Sequence, residues 1–363
     1  MGKFVVNNDV LRAGLKTVAP AVAKNNVIPA MDCIKFSVWA NKLKLTASDY
    51  NVYIEDVIPC EAKEKFEFIV AADLILRIAE VMNGPVWFTL EGPKLTISCE
   101  NDVFNLTLED INSYPNTPIA EQAKQALITD GLIEAISNAA KTVKKESLGA
   151  VVEYVLLEVC KDEICVVSTD TNCLFRQRFK INNASPANLL IHPRIATSLA
   201  GAGKLEGISY TNNHVFFDFG DTRVITRQTE GRYPDYRGVF PQGDVNCKIE
   251  IIQLLSGLKK ASITANKLTN LLCFDITKEY IEISSTDTDM GYSGQCVVPF
   301  ENNNVPVERL GVNARILQTS LQQIQGAGFK EVNGFISSPT RAIVLSSEQK
   351  EVEVLVMPIM LLN

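Results

Sequence analysis

The feature that most limits what this chain can fold into is an internal threefold repeat with a period of about 120 residues. Three landmarks recur in the same order. The first is an amphipathic helix pattern with apolar residues at i, i+4, i+7 and i+11: Leu11, Leu15, Val18, Val22; Leu132, Ile136, Ala139, Val143; and Ile251, Leu255, Leu258 with the weaker Ser262. Pro20 predicts an end or a kink in the first of these. The second is a strand-like run ending in Ser/Thr-Asp, at Asp49, Asp170 and Asp287. The third is an apolar strand running into a second helix, with Val70, Ile191 and Val312 in register at offsets of 121 and 121. Hairpin-like segments follow each second helix, with turns at Gly92-Pro93, Asn212-Asn213, Gly220-Asp221 and Ser338-Pro339.

Each unit therefore reads helix, strands, helix, strands. Pro-rich connections begin at Tyr114-Pro115 and Tyr233-Pro234, which places boundaries near 122 and 246 and divides the chain into 1–122, 123–246 and 247–363. The expected fold class is α+β, with two helices packed on an antiparallel sheet in each domain. Three unrelated α+β domains would not share three landmarks at matching spacing.

A catalytic constellation is not found. The two histidines, His192 and His214, lie in apolar or strand contexts without a nucleophile elbow, and read as ordinary fold residues. Gly201-Ala-Gly-Lys204 lacks the spacing of a phosphate loop and reads as a helix C-terminus. No pattern for zinc or calcium occurs, so neither metal nor cofactor is expected. The recurring aspartates read as turn formers, because an active site usually breaks internal symmetry. Nine cysteines without a C-x-x-C pair read as reduced, buried thiols, and no apolar run of membrane-spanning length occurs; both point to the cytoplasm.

Net charge is −7, which taken whole argues against a polyanionic partner. The six helical segments (8–24, 71–84, 130–146, 192–204, 249–267 and 313–327) nevertheless sum to +6 and leave −13 on the rest. Arg12, Lys16, Lys141, Lys144, Lys145, Lys259, Lys260 and Arg315 fall on polar helix faces. Such lysines and arginines are most often a solvated face. Lining one concave surface, they would hold a phosphate backbone without reading sequence.

Several segments resemble the bacterial sliding clamp, the beta subunit of the replicative DNA polymerase III: Thr229 to Pro241 (TEGRYPDYRGVFP), STDTNCLF, the opening FVVNNDVLRAGLKTV with VIPAM, and the C-terminal VLVMPIML. The resemblance covers essentially the whole chain. It implies three clamp domains, closed head-to-tail by a homodimer into a ring with helices lining the hole around duplex DNA. The implied role is a non-catalytic processivity factor that docks short hydrophobic peptides of polymerase, clamp loader and repair proteins. Carried over position by position, the peptide pocket falls on Leu156, Thr169, Leu174, Pro234, Val239, Val356, Met357, Pro358 and Ile359. DNA contacts fall on Lys24, Asn25, Lys141, Lys144 and Lys145, to which the helix faces add Arg12, Lys16, Lys259 and Lys260, and ring closure on Phe104 and Leu106 against Ile263 and Thr264. The chain departs from the family pattern at Thr171-Asn172-Cys173, usually Gly-His-Arg, at Gly238 and at Glu153, each usually Arg, and in extending through Leu362-Asn363. The alternative reading is a repeat-built peptide-binding scaffold that does not bind DNA.

Overall fold

The computed structural model describes residues 2–23, 28–143, 151–182 and 185–361. Among these are six α-helices: α1 (Asn8–Val18), α2 (Ala72–Val81), α3 (Leu132–Ala140), α4 (Ala196–Gly201), α5 (Ile251–Ala261) and α6 (Ala314–Gly326). Local chemistry sets their ends. The Asn7 side chain accepts from the Asp9 amide at 2.9 Å to start α1, and Pro20 sits in the 3-10 turn that finishes it. Asn313 caps α6 by accepting from the amides of Arg315 and Ile316.

The element order recurs three times. A strand precedes the first helix of each repeat: Gly2–Asn7, Lys124–Ala126 and Cys247–Glu250. These strands fall outside the sequence expectations; Lys124–Ala126 and Cys247–Glu250 are too short to display a period, whereas Gly2–Asn7 alternates buried and more exposed residues. Three strands follow, ending with Val52–Pro59, Cys173–Lys180 and Tyr292–Pro299. A further strand then enters the second helix, and three more close the repeat with Asp102–Thr107, Thr222–Arg227 and Val352–Val356. Val70, Ile191 and Val312 occupy one ladder position, opposite Ile34, Val155 and Leu272.

Two expectations need correction. The buried stripe of α5 is Ile251, Leu254, Leu258 and Ala261, not Leu255 and Ser262. Its register aligns Leu254, Gly257, Leu258 and Ala261 with Leu11, Gly14, Leu15 and Val18 of α1, and with Leu132, Ala135, Ile136 and Ala139 of α3. The second position is small in every copy because the helix lies against its sheet there. A Cβ on Gly14 would stand 2.9 Å from Leu45 Cδ1 and 3.1 Å from Ile58 Cγ2. One on Gly257 would stand 2.4 Å from Val298 Cγ2 and 3.2 Å from Ile283 Cδ1. Second, the helical span expected over 192–204 shrinks to a 3-10 turn (Pro193–Ile195) and the six residues of α4.

The chain divides into two compact units, and the division cuts through the middle repeat. The reason is sheet fusion. In the first unit (Met1–Ile128 with Arg194–Gln228), Thr222–Arg227 of the second repeat pairs antiparallel with Val52–Pro59 of the first, making one eight-stranded sheet. In the second unit (Thr129–Pro193 with Thr229–Asn363), Val352–Val356 of the third repeat pairs with Cys173–Lys180 of the second, making a nine-stranded sheet. The two joints have the same register, Thr222 opposite Asp56 and Val352 opposite Gln177. Each unit also holds a smaller sheet: a five-stranded one with Asp102–Thr107 at one edge, and a four-stranded one with Tyr292–Pro299 at one edge.

Helices pack on these sheets through their apolar stripes, with α1 beside α2 in the first unit and α6 against both α3 and α5 in the second. Six cysteines are buried, while Cys160, Cys273 and Cys296 are only half-buried. Burial, with Glu163 nearby, pushes the Cys165 thiol up to about 12. Among the described residues no helix is long and apolar enough to cross a membrane.

Candidate functional site

The recurring aspartates share one local geometry. Asp49 Oδ1 accepts from the amides of Asn51 and Val52, Asp170 Oδ1 from those of Asn172 and Cys173, and Asp287 Oδ1 from those of Asp289 and Met290. Each carboxylate closes a turn in the way an Asx turn does.

At the second sheet joint the expected pocket residues come together within one unit. Leu156 and Leu174 are buried in an apolar cluster with Cys165, Val167, Leu190, Tyr233, Tyr236 and Leu355. Thr169 fixes the neighbouring turn, its Oγ1 donating to the Cys173 carbonyl at 2.8 Å and accepting from the Thr171 amide at 3.1 Å. Pro234 and Val239 are exposed, Val239 by 53%, and Met357 is 38% exposed. The Met357 amide donates to the Asn172 carbonyl at 2.8 Å. Pro358 is half-buried, and the half-buried Ile359 is anchored by its amide to the Gly311 carbonyl at 2.8 Å. Val356 departs from the expectation: it is fully buried, so its side chain belongs to the core rather than to a surface.

The joint therefore has an apolar floor beside exposed aliphatic and thioether side chains, and Met360 adds one that is 75% exposed. The floor also holds aromatics that are not among the expected pocket residues, namely Tyr233, Tyr236 and the partly buried Tyr154 and Phe240. Their signal was the aromatic spacing inside RYPDYRGVF. Tyr236 donates to Glu158 Oε2 at 2.5 Å, and burial followed by that hydrogen bond drives its phenol well above the usual range. The same joint in the first unit carries a smaller cluster, Tyr53, Phe216 and Ile225, with Ala120 packed against it. Breaking internal symmetry in this way is what a binding site on a repeated scaffold does.

The basic residues spread over both units. Lys16, Lys259, Lys260 and Arg315 are exposed on α1, α5 and α6, and Arg12 pairs with Asp9 at 2.8 Å. Lys141 lies just past α3, with its Nζ donating to Asn138 Oδ1 at 2.8 Å. Lys141 and Arg315 line one cleft of about 160 Å³ with Thr142, Asp170, Cys173, Ile316 and Thr319. Lys24, Asn25, Lys144 and Lys145 lie outside the described residues, as do Leu362 and Asn363. Within the helices as they stand, Arg12, Lys16, Arg77, Lys259, Lys260 and Arg315 outnumber Asp9, Asp73, Glu80 and Glu134 by two, far less than the +6 of the longer segments. Of the remaining cations, Lys141, Arg194, Lys204 and Lys267 sit in caps and connecting turns, and the others lie outside the described residues.

Of the residues assigned to ring closure, Phe104 and Leu106 lie half-buried on the edge strand Asp102–Thr107. Ile263 is 80% exposed just beyond α5, and Thr264 Oγ1 lies 2.7 Å from Ser285 Oγ.

Such a scaffold, one two-layer unit repeated three times and joined through its sheets, with the larger apolar cluster at the second joint, is that of a repeat-built binding protein. Residues 2–118 match the family model of the DNA polymerase III beta subunit, N-terminal domain. The beta sliding clamp of Bacillus subtilis is 24% identical over 90% of this chain and 91% of its own length. That of Micrococcus luteus is 23% identical over 74% of this chain and 90% of its own length. The crystal structure of the DNA polymerase sliding clamp from Bacillus subtilis superposes with a TM-score of 0.90 at 20% identity, covering 99% of this chain and 100% of that one. The Helicobacter pylori beta clamp bound to a DNA ligase peptide gives 0.86 at 18% identity, covering 99% and 100%. The chain is thus similar over residues 2–118 to the N-terminal domain of the DNA polymerase III beta subunit, and its fold is that of the sliding-clamp structures.

Proposed function

We propose that the protein is a processivity clamp: it encircles duplex DNA without regard to sequence, makes and breaks no bond, and tethers the replicative polymerase and other replication and repair proteins through short hydrophobic peptides. Three domains, near 1–122, 123–246 and 247–363, build each chain, and two chains close head-to-tail into a ring that works in the cytoplasm. The observation that carries this reading is a pair of matching edges. Asp102–Thr107 ends the first repeat as Thr222–Arg227 and Val352–Val356 end the others. Tyr292–Pro299 stands where Val52–Pro59 and Cys173–Lys180 stand. The strand types that join repeats within the chain are thus both presented at sheet edges, ready for the opposite ends of two copies. An interface whose rotation closes gives a ring.

The peptide groove is assigned to Leu156, Thr169, Leu174, Pro234, Val239, Met357, Pro358 and Ile359, with Tyr233 and Tyr236 in its floor. Met and aliphatic groups suit a receptor for varied linear peptides. Arg12, Lys16, Lys141, Lys259 and Lys260 are assigned to the DNA side, with Lys24, Asn25, Lys144 and Lys145. The test is topological. Loaded on nicked circular DNA, the protein should stay bound in high salt and fall off when the circle is cut. Retention that is equally salt-sensitive on circles and linear DNA would refute the clamp. Reversing Lys259 and Lys260 to Glu should impair loading, whereas a pure peptide scaffold would be indifferent.

A further inference from the structure

We propose that the second unit carries an oxyanion site on the sheet face beneath the connection Arg237–Val245, built to take a phosphoryl group. A cleft of about 310 Å³ opens there between the nine-stranded sheet and the connection. Arg176 and Arg178, two apart on one strand and hence on one face, meet Arg237 from the connection and Lys350 from the turn before the last strand. Glu353 is the sole carboxylate in the lining.

Each guanidinium is held in place before any ligand arrives. Arg176 pairs with Glu353 and lies over the Phe240 ring, 4.1 Å from its centroid. Arg178 lies 3.3 Å from the same carboxylate and donates through Nη2 to the Lys350 carbonyl at 2.6 Å. Arg237 donates to both oxygens of Glu158, at 3.0 and 2.6 Å, lies 3.8 Å from Glu163 and stacks on Tyr236. Glu158 and Glu163 hold it from outside the cleft lining; counting them with Glu353, four cations face three carboxylates and the site keeps a net charge of +1. Each guanidinium carries five N–H groups, so those left beyond the bonds to Glu353, Glu158 and the Lys350 carbonyl can meet an oxyanion with little loss of freedom.

A surface ion network would also gather arginines and carboxylates, but it leaves Lys350 unexplained. Lys350 holds a left-handed backbone, φ +56°, where Gly or Asn would be less strained. No carboxylate pairs with its ammonium among the described residues. That conformation turns its carbonyl to Arg178 while its side chain adds charge to the cleft mouth.

The test uses the full chain, titrated with inorganic phosphate against chloride at matched ionic strength, and reads thermal unfolding. The wild type should show a saturable rise in Tm specific to phosphate. Lys350→Gly and Arg178→Gln should each weaken the apparent affinity by roughly tenfold, the size expected for one charge-assisted hydrogen bond. Lys350→Gly removes the strained backbone, so its Tm in chloride should hold or rise and loss of folding cannot mimic loss of binding. Deoxyadenosine monophosphate serves as a second probe: tighter binding than phosphate, again sensitive to Lys350→Gly, identifies a nucleotide ligand, and equal binding identifies phosphate itself. No phosphate-specific rise, or an affinity unchanged in both variants, would overturn the site.

Discussion

The side-chain amide of Gln323 on α6 donates to the Asn138 carbonyl at the end of α3, at 2.7 Å, and also to Thr142 Oγ1 at 2.7 Å. Gln323 is wholly buried, so this one side chain satisfies helix-terminal groups of the second repeat from the third. Replacing it with Ala takes this partner from the buried Thr142 hydroxyl, leaves the Asn138 carbonyl with the Lys141 amide at 3.2 Å, and opens a void. Gln323→Ala should cost about 2–4 kcal/mol, read as a lowered denaturant midpoint at unchanged slope. A change under about 0.5 kcal/mol, the range of ordinary surface substitutions, would show that water replaces the amide without loss.

The small position shared by the first helices gives a graded comparison. Alanine gains about 1 kcal/mol of helix propensity over glycine, and a forced contact costs about 1–3 kcal/mol. At Gly14 the nearest atom is the end of the Leu45 side chain at 2.9 Å, which can shift, and the stiffer Ile58 Cγ2 and Asp56 Oδ2 stand back at 3.1 Å, where a few tenths of an ångström suffice. At Gly257 the nearest is Val298 Cγ2 at 2.4 Å, on a stiff β-branched side chain. Gly14→Ala should therefore be nearly neutral and Gly257→Ala clearly destabilising. Unfolding of both variants by urea checks the order, and the reverse order would mean that α1 and α5 do not meet their sheets alike.

How much of this was legible in the sequence depends on the range of the signal. The repeat, the turn-forming aspartates and the ladder position of Val70, Ile191 and Val312 show in one dimension because each copy restates them. The register of α5 misled because Leu255 is apolar but only half-buried, while the small residue at Gly257 marks the contact by lacking a side chain. Val356 shows a different limit. Similarity carries a position to a strand, but every side chain of Val352–Val356 is buried, and the chain reaches the surface only at Met357, past the strand's end. The sheet fusion that divides the middle repeat between two units comes from pairing between residues 166 or more apart, such as Thr222 with Asp56, and no local pattern announces it.

Acidity should act through His214. It sits across the ladder from Arg227, and burial followed by that guanidinium holds its pKa below the ordinary 6.5. Above 6.5 the imidazole is neutral in folded and unfolded chains, and stability does not depend on it. As pH falls through 6.5 toward the lower folded value, the unfolded chain takes up the proton first, so stability drops and then levels off. His214→Gln should remove that drop while matching the wild type at pH 8. Parallel pH profiles of unfolding for the two proteins would refute the assignment.

Ring closure makes a residue-level prediction from the two internal joints. In both, the equivalent pair is fixed, Thr222 with Asp56 and Val352 with Gln177. Asp102 follows Cys99 in its hairpin as Thr222 follows Phe219, and Cys296 lies opposite Ile283 as Asp56 lies opposite Leu45. Closure in the same register therefore places Asp102 against Cys296 of the partner subunit. At the first joint the corresponding side chains touch, with Thr222 Oγ1 donating to Asp56 Oδ1 at 2.7 Å. Antiparallel neighbours have Cα atoms about 4.5–5.5 Å apart, within the span of a disulfide. Asp102→Cys should thus cross-link two chains under mild oxidation, giving a species of doubled mass on non-reducing gels. Adding Cys296→Ser should abolish it. Cross-linking that survives the second substitution, or none in a protein that sediments as a dimer, would rule out this register.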